Sequence, residues 1–358
     1  MSAKLPEFTD KQYPPDLELR LLQIVHRHGE RTPVRRRLEN LFPPVWNLCE
    51  ANKAMFASIA QFDKQNVQGL RPIHVERLVE NNGAEKPGAC YYGQLTNLGR
   101  LRMTDMFDED TVYVRSTDYP RTQESVQQLI AGGLYPKGKR SEDFVLKLRI
   151  RDPRDDNMFP NPNCFKLRAL AKEFTKTVAD MTKDQYTLVS AKVHKFHLPS
   201  DIDDDTLFEL EKVVVKEWFY GATVSNEVRR LALGRLMGEI QDRMVRKQEG
   251  KDAKDEERLK LAVYSGHDTT IAPLLIILNA FDERWPPFGS AILFELFKEK
   301  QGKEHYVRVR YNENTLELPG CAGKGQHKEG DKSLCTLDAF RKIVKDQIPT
   351  DWEKECSI

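Results

Sequence analysis

Three segments of the chain share one order of features: an apolar run typical of a buried strand, then a cluster of polar residues, then a helix start. They span residues 19–34, 111–130 and 259–278. Buried strands separated by helices indicate an α/β fold with a largely parallel central sheet flanked by helices. Ligands in open α/β sheets bind beyond the carboxyl ends of the strands, so a site is expected at that edge.

The first polar cluster follows the apolar residues 21–25 and reads Arg-His-Gly-Glu-Arg-Thr-Pro-Val over residues 27–34. The planar, permanently charged guanidinium groups of Arg27 and Arg31 suit phosphate oxygens, and Gly29 lets the backbone come close to a bound group. This pattern favours His28 as a nucleophile inside a phosphate cradle. For this motif alone, solvated arginines around a loop histidine are an equal alternative.

The second and third clusters also lie where a strand should end. Arg115, Asp118 and Arg121 follow the run 111–114, and Pro120 suits the first turn of a helix. His267 and Asp268 follow the run 261–264. Asp118 with Arg121 could instead be a helix cap and a surface charge, and the His-Asp pair could cap the helix that starts near residue 269.

Composition excludes several classes of protein. The 358 residues are 39% hydrophobic and 31% charged, and 56 basic against 55 acidic residues leave a net charge of +1. Such a balance does not indicate a nucleic-acid-binding protein, and no apolar run reaches the roughly 20 residues that cross a bilayer. The six cysteines lack C-x-x-C spacing, so neither a metal site nor a cofactor is expected.

The order of these segments predicts a discontinuous α/β core with inserted sequence. We assign residues 1–34, 94–150 and 257–358 to the core, and residues 35–93 and 151–256 to a smaller, mainly helical lobe that caps the site. Within 35–93 the helical spacing of Trp46, Cys49, Phe56 and Ile59 supports this assignment. Within 165–248 the apolar stripe through Leu231, Leu236 and Ile240 indicates a core-facing helix.

Taken together, the motifs resemble the histidine acid phosphatases, a branch of the histidine phosphatase superfamily. The likeness rests on residues 28–33 (His-Gly-Glu-Arg-Thr-Pro), 93–99, 114–118 and 265–269. Residues 281–288, 318–321 and 334–337 are most similar to the prostatic and lysosomal types and to lysophosphatidic acid phosphatases. The resemblance covers nearly the whole chain in order.

This resemblance implies a metal-independent phosphomonoesterase that acts through a phosphohistidine. His28 would attack phosphorus and Asp268 would protonate the departing alkoxide, while the nonbridging oxygens would be held by Arg27, Arg31, Arg115 and His267. Asp118 and Arg121 would contact these phosphate-binding side chains rather than the phosphate itself. Negative charge on the phosphate favours the protonated form of a nearby carboxyl group, which suits Asp268 to that role. His26 is expected to be structural.

The resemblance also implies two disulfides, Cys164 with Cys356 and Cys321 with Cys335; Cys49 and Cys90 have no counterpart. Disulfides indicate an oxidising compartment, whereas the first ten residues lack an apolar leader and the chain has no N-x-S/T sequon, so the compartment stays open. The expected partner is a small phosphate ester, with no nucleic acid and no membrane span, and the family likeness suggests a homodimer.

Within the phosphatase class, lysophosphatidic acid is the favoured substrate, because Trp46, Leu48, Phe56 and Phe62 could form an apolar wall for an acyl chain. Arg35, Arg36 and Arg37 suggest the competing phytase-like substrate, a polyphosphorylated inositol. A phosphotransferase of the same superfamily, which passes the phosphoryl group to another acceptor, is a further alternative. A protein that only binds phosphorylated ligands is disfavoured by the intact His28, His267 and Asp268.

Overall fold

The structure is a computed structural model that describes residues 14–31, 54–63, 66–76, 80–81, 84–85, 111–134, 146–193, 203–250 and 259–357. Within these ranges the strands are β1 (Leu17–Arg27), β2 (Ala54–Asp63), β3 (Asn66–Glu76), β4 (Glu80–Asn81), β5 (Ala84–Glu85), β6 (Val112–Ser116), β7 (Leu148–Arg149), β8 (Leu261–Gly266), β9 (Ala291–Glu299), β10 (His305–Tyr311), β11 (Asn314–Leu316), β12 (His327–Lys328) and β13 (Asp331–Thr336). The α-helices are α1 (Pro120–Leu129), α2 (Phe165–Val193), α3 (Asp204–Val224), α4 (Asn226–Glu249), α5 (Asp268–Ile277), α6 (Leu337–Lys345) and α7 (Trp352–Cys356).

Nine of the described strands form one central sheet, in the order β12-β13-β10-β9-β1-β8-β6-β7, with β11 paired to β10. The α/β class is confirmed, but the sheet is mixed rather than largely parallel. β1, β8, β6 and β7 pair in parallel, whereas β9 runs antiparallel to β1 and every pair beyond β9 is antiparallel. A tight turn joins β10 to β11, and Asn312, with φ of 54°, lies in it.

The parallel half is covered on both faces, which is why the middle of its strands β8 and β6 is mainly apolar. Alternate residues of β8 point to opposite sides. Ala262 and Tyr264 belong to the large core cluster with Leu236 and Ile240 of α4, and Val263 packs with Val114 of β6 and Val126 of α1. Helices α4 and α1 therefore pack on opposite faces of the sheet. This packing holds in place the strand ends that bear the polar clusters.

Residues 165–248 are mostly helical, as predicted, and form α2, α3 and α4. The predicted stripe is buried: Leu231, Leu236, Ile240 and Met244 are at most 1% exposed. None of the described helices is long and apolar enough to cross a membrane.

Residues 35–93 differ from expectation, because β2 and β3 form an antiparallel hairpin where the spacing predicted helix. Apolar residues three apart also occur in strands, and the β-branched residues Val67, Ile73 and Val75 of β3 favour strand pairing over an isolated helix. The division into core and cap lobe stays a prediction.

Both predicted disulfides are present. Cys164 bonds to Cys356 and Cys321 bonds to Cys335. The first joins the start of α2 to the last helix, and the second joins the turn at residues 319–321 to β13. Cys49 and Cys90 lie outside the described residues.

Candidate active site

The strand register brings the three polar clusters together. In the parallel pair of β1 and β8, Arg27 lies opposite Gly266, and the His28 amide donates to the Gly266 carbonyl at 3.0 Å. On the other side of β8, the amide of Thr117 donates to the Ser265 carbonyl at 3.2 Å. The residues that follow β1, β8 and β6 are therefore neighbours at one edge of the sheet, as the sequence predicted.

His28 is 1% exposed and its ring is held in a defined tautomer. Nδ1 lies 2.9 Å from the carbonyl oxygen of Gly29, which can only accept, so Nδ1 carries the proton. Nε2 then keeps its lone pair, and the Arg31 Nε–H points to it at 3.4 Å. Burial lowers the pKa of His28 far below its ordinary value, and the charge of Arg27 adds to this effect. The ring is consequently a neutral imidazole with a nucleophilic nitrogen that faces cations.

Three guanidinium groups lie near the His28 ring: Arg31 contacts its Nε2, and the charges of Arg27 and Arg121 act on the ring. Burial and mutual repulsion lower the pKa of Arg31 to about 10, which leaves it charged at neutral pH. The Nε atoms of Arg27 and Arg121 are buried and have no hydrogen-bond partner among the described residues. Buried cationic donors without acceptors are costly for a fold, and an anion would satisfy them.

The ring of Phe288 forms one wall of this cationic cradle. The Arg27 guanidinium carbon lies 4.0 Å from the ring centroid, and the His28 and Phe288 centroids are 5.7 Å apart. The loop that carries Phe288 is tied to β1, because the Gly289 amide donates to the His28 carbonyl and Arg27 donates to the Pro286 carbonyl. Phe288 lies outside the three polar clusters that the sequence motifs predicted as the site.

His267 forms another wall, with its ring centroid 5.7 Å from that of His28. Its Nε2 lies 2.9 Å from Thr117 Oγ1, and its Nδ1 lies 3.5 Å from Arg121 Nη2, which can only donate. Nδ1 is therefore the unprotonated nitrogen. Burial lowers the pKa of His267 to about 3, and the charge of Arg121 contributes. Thr117 was missed because a threonine in a polar cluster has no distinctive motif.

Asp268 is the first residue of α5, and Arg27 Nη2 lies 2.8 Å from its Oδ2. Its other oxygen accepts from the Thr269 amide at 2.9 Å. Thr270 Oγ1 accepts from the His267 amide at 3.0 Å and approaches β8 so closely that a Cβ on Gly266 would lie 2.6 Å from it. Glycine at 266 therefore allows the tight junction that places the His-Asp pair.

The prediction that Arg115 binds the phosphate is wrong. Arg115 is 1% exposed, and its guanidinium donates to Glu239 at 2.8 Å and to Asn157 at 2.6 Å, while its Nε lies 3.1 Å from the Met158 sulfur. Side chains alternate across a strand, and position 115 of β6 points to α4 beneath the sheet edge. The third cation of the cradle is instead Arg121, in the first turn of α1.

Asp118 does not join the cradle. It is exposed and accepts from Gln123 at 2.8 Å, as a solvated residue at a helix start would. His26 is buried in β1, where Nδ1 lies 3.1 Å from the Arg27 carbonyl, and its structural role stays a prediction. The motif at residues 93–99, the apolar wall at 46, 48, 56 and 62 and the three arginines at 35–37 lie outside the residues whose side chains the structure describes.

The arrangement suits transfer of a phosphoryl group. A neutral imidazole nitrogen faces three guanidinium groups, and a carboxyl group adjoins the same space. A phosphoryl transition state spreads negative charge over its equatorial oxygens, so cations fixed around a nucleophile are the groups that stabilise it. Within the described ranges, no cluster of three or more His, Cys, Asp or Glu residues is placed to hold a metal ion.

Comparison with known proteins agrees with this chemistry. A sequence profile described as the histidine phosphatase superfamily (branch 2) matches residues 18–163 and 172–312. The chain is 27% identical to a probable acid phosphatase of Schizosaccharomyces pombe, over 99% of this chain and 98% of the relative. It is 26% identical to the prostatic acid phosphatase of Mus musculus, over 95% of this chain and 89% of the relative.

Two solved structures share the fold. A phytase of Hafnia alvei in complex with tartrate superposes with a TM-score of 0.56 at 14% identity, and the match covers 97% of this chain and 100% of the phytase. A multiple inositol polyphosphate phosphatase of Bifidobacterium longum in complex with inositol hexasulfate gives a TM-score of 0.56 at 12% identity, over 96% and 95% of the two chains. At these identities the likeness establishes the fold alone.

Proposed function

The chain belongs to the histidine phosphatase superfamily (branch 2) and is a phosphomonoesterase, and from this premise we propose that it works through a phosphohistidine on His28, without a metal. The observation that carries the proposal is the fixed tautomer of His28, whose Nε2 lone pair faces Arg31. Among the described residues near the cradle, it is the nitrogen best placed to attack phosphorus.

In the first step a bond forms between His28 Nε2 and phosphorus, and the bond from phosphorus to the ester oxygen breaks. Arg27, Arg31 and Arg121 stabilise the charge on the nonbridging oxygens. The Nδ1 atom of His267 lies on the side of Arg121. If His267 takes up a proton there when the substrate binds, Nδ1–H would donate to a phosphate oxygen. The substrate dianion competes with Asp268 for Arg27 and favours the protonated carboxyl, which gives its proton to the departing alkoxide.

In the second step water attacks the phosphohistidine, and Asp268 accepts the proton of that water. Phosphorus leaves Nε2, and the products are an alcohol and inorganic phosphate. Release of inorganic phosphate at pH 5 from a simple monoester distinguishes this reaction from phosphotransfer to a second substrate, which would leave little free phosphate. The same assay would expose a protein that binds phosphate esters without hydrolysing them.

A trapping experiment tests the intermediate. Acid-free quenching after mixing with ³²P-labelled substrate should yield an acid-labile, alkali-stable label on the protein. His28→Ala should abolish the label and lower kcat by at least about four orders of magnitude, as loss of a nucleophile does elsewhere. His327→Asn, which removes a histidine four strands away on β12, should label normally. Full labelling of the His28→Ala protein would exclude the mechanism.

Lysophosphatidic acid remains the favoured substrate within this class. The apolar side chains that support it, Trp46, Leu48, Phe56 and Phe62, are not among those described. A comparison of kcat/KM for lysophosphatidate with that for glycerol phosphate tests the preference. A phytase-like preference would instead appear as faster hydrolysis of inositol polyphosphates, which Arg35→Ala would reduce.

A further inference from the structure

Two aromatic side chains pack on the face of the cradle formed by His267. The ring centroid of Tyr119 lies 5.1 Å from that of His267 at an interplanar angle of 89°, and Phe159 lies 6.3 Å from His267 at 80°. Tyr119 and Phe159 are themselves 6.4 Å apart at 76°. The three rings therefore form one edge-to-face cluster, the arrangement that aromatic quadrupoles favour.

This cluster lies next to the cations of the cradle. The guanidinium of Arg121 lies 4.6 Å from the Tyr119 centroid and 3.5 Å from His267 Nδ1. Tyr119 therefore contacts a cation that is proposed to bind the phosphate. Tyr119 precedes α1, and Phe159 lies in the loop between β7 and α2. Two separate segments thus converge on the rim of one site.

The geometry of the reaction locates the leaving group near these rings. In phosphoryl transfer the attacking and leaving atoms lie roughly in line, so the ester oxygen departs on the side of phosphorus away from His28. The leaving oxygen must also reach Asp268, which directly follows His267 in the chain. A leaving group that extends past His267 would contact Tyr119 and Phe159.

The exposure of the two rings fits contact with a ligand. Tyr119 is 41% exposed and Phe159 is half-buried, whereas His267 beneath them is buried. Aromatic rings that are rigid, partly exposed and mutually fixed offer contact area at low cost in conformational entropy. If residues 119 and 159 only had to pack against His267, aliphatic side chains would be sufficient.

We propose that Tyr119 and Phe159 form the leaving-group subsite and select phosphate monoesters whose alcohol carries an aromatic ring close to the ester oxygen. The inference rests on the proposed function and specifies the substrate class of that site. An aromatic leaving group would extend the edge-to-face cluster by a further ring, whereas a saturated ring of similar size would gain only apolar contact.

Three alkyl esters of similar intrinsic reactivity test the subsite: 2-phenylethyl, 2-cyclohexylethyl and propyl phosphate. The wild-type protein should hydrolyse the phenylethyl ester with a kcat/KM about 5-fold higher than the cyclohexylethyl ester, in line with the energy of an aromatic pair. The double variant Tyr119→Leu/Phe159→Leu should bring that ratio to about 1. Tyr119→Phe, which keeps the ring, should retain it.

Matched controls remove exposed aromatic rings elsewhere. Phe165→Leu and Tyr186→Leu, both 56% exposed on α2, should leave the ratio at its wild-type value. If the rings only orient His267 and Arg121, the double variant will lose activity on all three esters equally and keep the ratio, which overturns the inference. A wild-type ratio of 1 overturns it without any variant.

The wild-type assay also separates this inference from the proposed function. Phosphate release from all three esters without preference contradicts only the subsite. Absence of release from every ester contradicts the proposed function, and the subsite with it.

Discussion

Arg27 Nη2 and Asp268 Oδ2 lie 2.8 Å apart, which joins the last residue of β1 to the first residue of α5. Both side chains are largely buried, with exposures of 4% and 14%. The pair therefore links a phosphate-binding cation directly to the proposed acid. Binding of a phosphate dianion would draw Arg27 towards the substrate and alter the environment of Asp268 in the same event.

Replacing Asp268 by Asn should slow alkyl phosphates far more than aryl phosphates. An alkoxide leaves poorly without a proton, and a general acid contributes about 10²- to 10⁴-fold, whereas a phenolate with an electron-withdrawing group departs without such help. We expect kcat for propyl phosphate to fall by about 10³-fold and that for p-nitrophenyl phosphate by about 10-fold or less. Asp118→Asn, an exposed neighbour of Gln123, is the matched control. Equal slowing of both esters would argue against Asp268 as the acid.

Arg121 and Arg115 should have opposite mutational signatures. Arg121→Ala removes a cation from the cradle and should lower kcat/KM by about 10²-fold or more with little loss of stability. Arg115→Ala removes the buried partner of the half-buried Glu239 and should lower the free energy of unfolding by about 3 kcal/mol. Urea unfolding and steady-state kinetics on both proteins would separate the effects.

The exposed Arg154, on the loop after β7, provides the control for loss of an arginine charge. Arg154→Ala should change neither kcat/KM nor stability appreciably. The assignment of the third cation would be disproved by a stable Arg115→Ala protein with impaired turnover, together with normal turnover in Arg121→Ala.

Arg115 and Arg121 illustrate what the sequence could and could not predict. Strand-loop-helix order was enough to place His28, Arg27, Arg31, His267 and Asp268 at one edge of the sheet. The order did not reveal on which face of β6 the side chain of residue 115 lies, since that depends on the strand register and on Glu239, 124 residues later. A charge after a strand is therefore ambiguous until its partner across the fold is known.

The mixed sheet and the aromatic walls were missed for a similar reason. Antiparallel pairing of β9 with β1 joins strands far apart in the chain, and their apolar pattern suits either direction. Phe288 and Tyr119 lie in loops, and the path of each loop past the cradle depends on tertiary packing. The signal that could have found Tyr119 is its position directly before Pro120, at a helix start next to a predicted strand end.

Stability should fall as the pH decreases from 6.5 towards 4, partly because of His26. Burial lowers the pKa of His26 to about 4 from its ordinary value of 6.5. Between these values the unfolded chain binds a proton at this residue and the folded chain does not, so acid favours unfolding by about 1.4 kcal/mol per pH unit. His267, with a pKa of about 3, acts in the same direction.

His26→Asn should therefore reduce the slope of unfolding free energy against pH by about one proton between pH 6 and pH 5, measured by urea unfolding at closely spaced pH values. The slope is the readout, because the substitution can also change stability by a constant amount. His327→Asn, with the replaced ring half-buried on β12, should keep the wild-type slope. An unchanged slope in His26→Asn would show that this histidine does not contribute to the pH dependence.

The two disulfides should contribute unequally to stability, because they close loops of very different length. Cys164–Cys356 spans 192 residues and Cys321–Cys335 spans 14. Restricting the unfolded chain by loops of these sizes stabilises the fold by about 5 and about 3 kcal/mol in the chain-entropy description. Cys164→Ser/Cys356→Ser should therefore lower the free energy of unfolding by about 2 kcal/mol more than Cys321→Ser/Cys335→Ser.

Because all four sulfurs are buried, the two double variants are matched in polarity. The reverse order in urea unfolding would mean that local packing around β13, rather than loop closure, determines what each bond contributes.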